Sequence, residues 1–259
     1  MKRKSGIKIL LFTIIIILIF AVAFTAIAAI PAEFDSNDIR DRFPLHQNDE
    51  NVYNRENVRK YAEYASDYLQ NGTFRFLSPA NGDSATDCAN YVSQCLYAGG
   101  FEMTDLWYMK RYSDSVLKIK RITDKICTSL NRFNYVSYGI GNGADYTDMN
   151  YVWTYTWSCA GDQIDYFEKN FAEGRYEANN YEQFSELVKS KNINTGDVIY
   201  QCIDNIHHVV IVSDVSENGI VYISSHNPPL FDFEINEDSW QKIGFSGGAV
   251  ILKIKDYCS

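Results

Sequence analysis

The stretch Thr195–Ser225, TGDVIYQCIDNIHHVVIVSDVSENGIVYISS, decides the fold class. Thr195-Gly196 closes a helical region, and three runs follow that are rich in β-branched and aromatic residues: Asp197–Cys202, His207–Val215 and Gly219–Ser224. Ser216-Glu217-Asn218-Gly219 has the composition of a hairpin turn joining the second run to the third. A fourth run, Ala249–Ile254, lies downstream. Upstream the apolar period is helical. Asn54 can cap a helix whose Val58, Tyr61, Ala62, Ala65, Tyr68 and Leu69 share one face, with Asn71-Gly72 as its stop. A second helix carries Val92, Cys95 and Leu96 on one face and ends at Gly99-Gly100, and two more helical patterns lie near Asp162–Phe171 and Tyr181–Lys189. Helices first and an antiparallel sheet afterwards predict an α+β fold with no internal repeat. Asp197, following Thr195-Gly196, reads as a turn-closing residue rather than a ligand.

Between the second and third helical patterns lies an aromatic stretch that includes Trp107, Tyr108, Tyr112, Phe133, Tyr135, Tyr138, Tyr146, Tyr151, Trp153, Tyr155 and Trp157. Aromatics at this density are expected to build core rather than to stack on sugar rings. Gly139–Gly143 reads as a loop inside it.

The chain has 259 residues, 46% hydrophobic and 15% aromatic, which excludes a disordered or low-complexity protein. Its net charge is -9, from 24 Lys+Arg against 33 Asp+Glu. Lys2, Arg3, Lys4 and Lys8 precede an uncharged run, Ile9–Ile30, so the remainder of the chain is more acidic still. An acidic body is a poor partner for nucleic acid. The run is long enough to span a bilayer, and Ala26-Ile27-Ala28 offers a small-x-small cleavage site near its end. Residues 1–30 are therefore read as a signal peptide or an N-terminal membrane anchor. Both alternatives export the rest, with the basic end inside. Residues 31–50 read as a polar tether, in which His46 is expected to be inert, and 51–259 as one catalytic-sized domain.

Six cysteines (Cys88, Cys95, Cys127, Cys159, Cys202, Cys258) in an exported chain raise the prospect of bridges. A domain this large does not need them. No CxxC pair is present and there are only four His residues, which argues against a closed zinc site. Neither a metal nor a cofactor is expected. If one cysteine is a working thiol, five remain, so pairing is incomplete.

The chemistry concentrates in Ser84-Ala85-Thr86-Asp87-Cys88-Ala89-Asn90-Tyr91-Val92. Cys88 sits where a polar loop turns into a short apolar helix that Thr86 or Asp87 can cap. A helix N-terminus favours thiolate over thiol. Its unpaired first-turn N–H groups can also hold a developing oxyanion. Without a base, the alternative is a buried structural cysteine. Base candidates open the strand Ile206-His207-His208-Val209-Val210-Ile211-Val212, where alternation allows at most one of the two His residues to meet Cys88. His226-Asn227, at the end of the next strand, can bring a polar group beside that His. The order Cys, His, then His or Asn is the papain-like order. Cys95, two helical turns beyond Cys88, reads as core.

The segments DCANYVSQCLYAGG, TGDVIYQ and IHHVVIV, with the opening helix YNRENVRKYAEYA and Trp157-Ser158, resemble the amidase-domain family of the papain-like superfamily. More distantly they are similar to NlpC-type and CHAP-type cell-wall hydrolases. The resemblance runs from Tyr53 to the C-terminus, with Asp87-Cys88 its most specific part. It implies a papain-like arrangement of N-terminal helices on an antiparallel sheet, Cys88 as nucleophile, and His208 rather than His207 as base. It also implies His226 or Asn227 as the third member. The doubled histidine and Pro228-Pro229 depart from the family pattern.

What the resemblance implies is a cysteine amidase or endopeptidase that cuts an amide bond in peptidoglycan or a peptide and works as a monomer outside the cytoplasm. A catalytically silent wall-facing binding or scaffold protein is the alternative, and a peptidase for exported proteins would share the mechanism.

Overall fold

The computed structural model describes residues 39, 43–44, 51–66, 87–111, 136–140, 150–226 and 229–258. The run Ile9–Ile30, most of the 31–50 tether, the Tyr68–Gly72 end of the first helical pattern, Ser78–Thr86, Cys127 and Asn227 lie outside them. Among the described residues no helix is long and apolar enough to cross a membrane.

Two helices open the described body: α1 (Arg55–Ser66) and α2 (Asp87–Ala98). A three-stranded antiparallel sheet follows, formed by β1 (Met109–Arg111), β2 (Val136–Ile140) and β3 (Asn150–Thr154) in the order β1-β3-β2. Next come the single turn α3 (Tyr155–Ser158), α4 (Ala160–Asn170), β4 (Ala172–Ala178) and α5 (Tyr181–Lys191). The chain ends with β5 (Val198–Gln201), β6 (His208–Val215), β7 (Val221–Ser225), β8 (Leu230–Ile235), α6 (Glu237–Lys242) and β9 (Ala249–Ile254). The six strands β4 to β9 make one antiparallel sheet in the order β4-β9-β5-β6-β7-β8. The fold is α+β.

Alternation along these strands splits the core in two. Val198, Tyr200, Val209, Ile211, Val250, Leu252 and Ile254 face α1, α2 and α4. Ile199, Val210, Val212, Ala249 and Ile251 pack with Phe184 and Val188 of α5 and Trp240 of α6. Burial on both faces explains why His208–Val212 is an unbroken apolar run after its first residue rather than an alternating one. The Ser216–Gly219 hairpin closes through Ser216 N donating to Ile220 O (2.9 Å) and Gly219 N to Ser216 O (2.8 Å), with Gly219 at φ 77°.

Asn54 caps α1 as its chemistry predicts, its Oδ1 accepting from Asn57 N at 2.9 Å. Val58, Tyr61, Ala62 and Ala65 form the buried stripe. Gly99 ends α2 against this helix. Its carbonyl accepts from Asn54 N at 2.7 Å, and a Cβ there would lie 2.5 Å from both the Tyr53 ring and the Val58 side chain, so only glycine lets the two helices approach this closely. Within the aromatic stretch Trp107, Trp153 and Trp157 are fully buried and Tyr108 is buried, whereas Tyr155 is half-buried. One expectation is corrected, and one strand lies where none was expected. Gly139 and Ile140 belong to β2, paired with Tyr151 and Asn150, rather than to a loop. Between the third and fourth helical patterns the chain inserts edge strand β4, whose Glu173, Arg175 and Glu177 point outward and blunt the sheet edge.

Asp197 closes a turn, accepting from Asn194 N (2.8 Å), and it does more. It is fully buried, pairs with Arg55 Nη1 at 3.0 Å and accepts from Ile254 N at 3.0 Å. Arg55 also donates to Thr195 O and Ile254 O, so one buried carboxylate ties the start of α1 to β5 and β9. Burial pushes the Asp197 carboxyl up to about 6 although Arg55 and two backbone N–H groups oppose it. Because the folded value exceeds the unfolded one (about 3.9), the folded state binds a proton more readily across this window. The contribution of this group to stability is therefore largest below pH 4 and is lost as pH rises through 6. Asp197→Asn is expected to lose about 2–3 kcal/mol at pH 7 in urea unfolding. The gap from wild type should widen towards pH 5, because only the wild type gains from protonation.

Candidate active site

Every residue of α2 is buried, so its polar side chains must find partners inside the protein. Asn90 is the centre of that pairing. Its Oδ1 accepts from Trp157 Nε1 (2.8 Å) and Gln94 Nε2 (2.9 Å), and its Nδ2 donates to Asp87 Oδ1 (3.0 Å). Gln94 Oε1 in turn accepts from Tyr61 Oη at 2.6 Å. On the next turn Ser93 Oγ donates to Trp157 O and accepts from Trp107 Nε1. Gln163 of α4, also fully buried, donates from Nε2 to Ala89 O and Ser93 Oγ, each at 2.8 Å. Tyr200 Oη donates to Gln163 Oε1 at 3.1 Å. The first two turns of α2 are thus held from α1, α3, α4 and β5.

Cys88 is the second residue of α2 and is 1% exposed. First-turn N–H groups have no acceptor within their own helix, so the thiol lies at the positive end of a 12-residue helix. Tyr200 is its neighbour from β5: burial raises the phenol well above its ordinary value, and the charges of Cys88 and Asp165 add to the rise. Asp87, expected as a possible cap, is instead the first helical residue, with its carboxylate turned to Asn90 and His226.

His226 is fully buried and engaged on both ring nitrogens. Nδ1 lies 2.6 Å from Asp87 Oδ2, and Nε2 lies 2.8 Å from Ala65 O. Its ring stacks on Tyr91 with centroids 4.7 Å apart and planes 17° from parallel. The structure therefore joins His226 to the residue preceding Cys88. Asn227, the other expected third member, lies outside the described residues.

His208 opens β6, opposite Gln201 at the end of the β5–β6 ladder, and is half-buried. Alternation sets it on the Val210 side of the sheet, whereas Cys88 packs with the face that carries Val209 and Ile211. His207 precedes the strand and is exposed, with Nδ1 2.9 Å from Asn205 O. Burial, and secondarily the charge of His207, push His208 down to about 4.

The remaining described cysteines do not share this setting. Cys95 is in the core, where burial raises its thiol well above the ordinary range, and burial raises Cys159 as well. Cys95, Cys159 and Cys202 carry thiols rather than disulfides. Among the described residues no group of three or more His, Cys, Asp or Glu side chains is arranged to hold a metal ion.

Residues 52–247, most of the chain, match the family described as "Putative amidase domain". The chain belongs to that family, and its membership points to amide hydrolysis. Neither the curated proteins nor the solved structures include a significant match to it.

Gln163 and Tyr200 were not apparent as site residues from sequence, because a Gln on a helix face and a Tyr in an apolar strand carry no local signal. Asn90 did carry one, as the fourth residue of Asp87-Cys88-Ala89-Asn90. With His208 held at about 4, the imidazole is neutral above that pH, which is the form that accepts a proton. The expected pH profile of any His208-dependent reaction of Cys88 falls away near pH 4 to 5 instead of near 6.5. Stopped-flow alkylation of the thiol across pH 3.5–8, with His208→Ala as reference, checks this.

Proposed function

We propose that the protein is a cysteine-dependent amide hydrolase of papain-like type, with Cys88 as nucleophile and His208 as general base. The observation that carries this reading is the placement of Cys88 in the first turn of α2, inside the family's matched span, with Asp87 and Asn90 fixed by buried hydrogen bonds. In the proposed reaction His208, neutral at working pH, takes the Cys88 proton and the sulfur attacks the amide carbonyl. The first-turn N–H groups of α2 receive the developing oxyanion. His208 then protonates the leaving amine, and water, activated by the same imidazole, clears the thioester. The depressed His208 value supports proton transfer during attack rather than a preformed thiolate–imidazolium pair. Since both His226 nitrogens are engaged by Asp87 and Ala65, Asn227 is the stronger candidate for orienting the base.

The proposed substrate is an amide of peptidoglycan, reached outside the cytoplasm. Support comes from the basic flank and the 9–30 apolar run, which serves as an anchor or as a signal released after Ala26-Ile27-Ala28.

The test is release of new amines from purified peptidoglycan by wild type, Cys88→Ala, His208→Ala and His207→Ala. Cys88→Ala is expected to abolish release and His208→Ala to lower it by about 10²–10⁴-fold. His207→Ala should stay within a few-fold of wild type. Full activity in Cys88→Ala refutes the cysteine mechanism, and loss in His207→Ala with retention in His208→Ala reassigns the base. No release by wild type from peptidoglycan, with release from peptides, moves the substrate.

A further inference from the structure

The pair His226–Asp87 links α1 to the start of α2. Ala65 is one of the last described residues of α1, and its carbonyl oxygen lies 2.8 Å from His226 Nε2. Asp87 is the first residue of α2, where a negative charge is favoured. Ala65 O can only accept, so Nε2 carries the proton. The contact at Nδ1 then holds a further proton between the ring and the carboxylate, and whichever of the two carries it, the pair has no net charge. The groups that meet this pair include the Ala65 carbonyl of α1 and Asn90 and Tyr91 of α2, and these three are uncharged. Asp87 itself is 1% exposed, directly precedes Cys88, and would present a buried negative charge beside a thiolate if it stood alone.

We propose that His226 is a positioning residue that acts through Asp87: it cancels the carboxylate charge next to the nucleophile and fixes the first turn of α2 to α1, rather than orienting the base. This rests on Cys88 being the nucleophile. The effect of His226 reaches the thiol as the absence of a repulsion, since a like charge at this range disfavours the thiolate.

The test follows iodoacetamide alkylation of Cys88 and Cys95 against pH in the full-length chain, resolved by peptide mass spectrometry. It compares wild type, His226→Gln, Asp87→Asn and the double variant. In His226→Gln the pH of half-maximal Cys88 alkylation is expected to rise by about one unit. Asp87→Asn on top of it should restore the wild-type midpoint, because no carboxylate is left to repel, and Asp87→Asn alone should move it little. This non-additivity is the signature of a pair acting as one unit. Cys95, buried seven residues on in the same helix, reports mere loosening and should stay unreactive in all four proteins. An unchanged midpoint in His226→Gln, no reversal by Asp87→Asn, or Cys95 becoming reactive together with Cys88 overturns the proposal. A wild-type Cys88 that is not alkylated at any pH overturns the nucleophile reading itself, and the inference with it. Should the variants not fold, ¹H–¹⁵N spectra of ¹⁵N-histidine wild type decide: a slowly exchanging Nε2 proton on His226 is expected, and an unprotonated Nε2 refutes the arrangement.

Discussion

A helix with no solvent-facing side constrains everything around it. In α2 the buried residues include Asp87, Asn90, Ser93 and Gln94, each of which would cost about 1–3 kcal/mol if left unpaired. Their partners come from four other elements: Tyr61 on α1, Trp157 on α3, Gln163 on α4 and His226 at the end of β7. None of these partners can move independently without orphaning a polar group. The helix is therefore fixed in rotation and in height, which apolar packing alone, being non-directional, does not ensure. Fixing the rotation of α2 fixes where its second residue, Cys88, stands.

The sheet serves the same end from below. Because both of its faces are covered, its central strands supply packing on one side to α5 and α6 and on the other to α1, α2 and α4. Arg55 and Asp197 lock the start of α1 onto β5 and β9, while His226 meets its Ala65 carbonyl. α1 is thus held near both ends of its described span by polar contacts from far along the chain. A carboxylate buried as Asp197 is raises its own proton affinity, so this lock costs stability in isolation. What it contributes is specificity: Arg55, with its planar fork, meets two carboxylates and two carbonyls in one geometry.

Much of this was legible in the sequence, and the reason differs from element to element. Ala249–Ile254 was read to the residue because an apolar run bounded by Gly248 and Lys255-Asp256 leaves little choice. Asn54, Gly99 and the Ser216–Gly219 turn announced themselves through chemistry that acts within a few residues. β4 was missed because AEGRYEA is an edge strand whose outward side is charged, and neither its composition nor its period distinguishes it from a loop between helices. The short strands around Gly139 were hidden for a related reason, since glycine argues locally for a turn and only the partner strand overrides it. The site divides in the same way. Cys88 and Asn90 stood in one local motif. The pairing of Asp87 with His226, 139 residues apart, depends on β7 ending over α1, and no local pattern encodes that.

With Cys88 as the proposed nucleophile, the arrangement also accounts for an acidic residue directly before the thiol. Burial at 1% exposure works against the charged form of any thiol, and the positive end of α2 works for it. A bare carboxylate one residue away would add to the first effect and offset the second. With His226 in place the Asp87–His226 pair instead presents no net charge, yet keeps a carboxylate oxygen for Asn90. Asn90 then holds Trp157 and Gln94, and through them the rest of the network. An alanine at position 87 would avoid the repulsion too, but it would leave Asn90 Nδ2 and His226 Nδ1 without the acceptor they share. The acidic residue is therefore retained for its oxygen atoms and tolerated because a histidine from the far end of the sheet neutralises it.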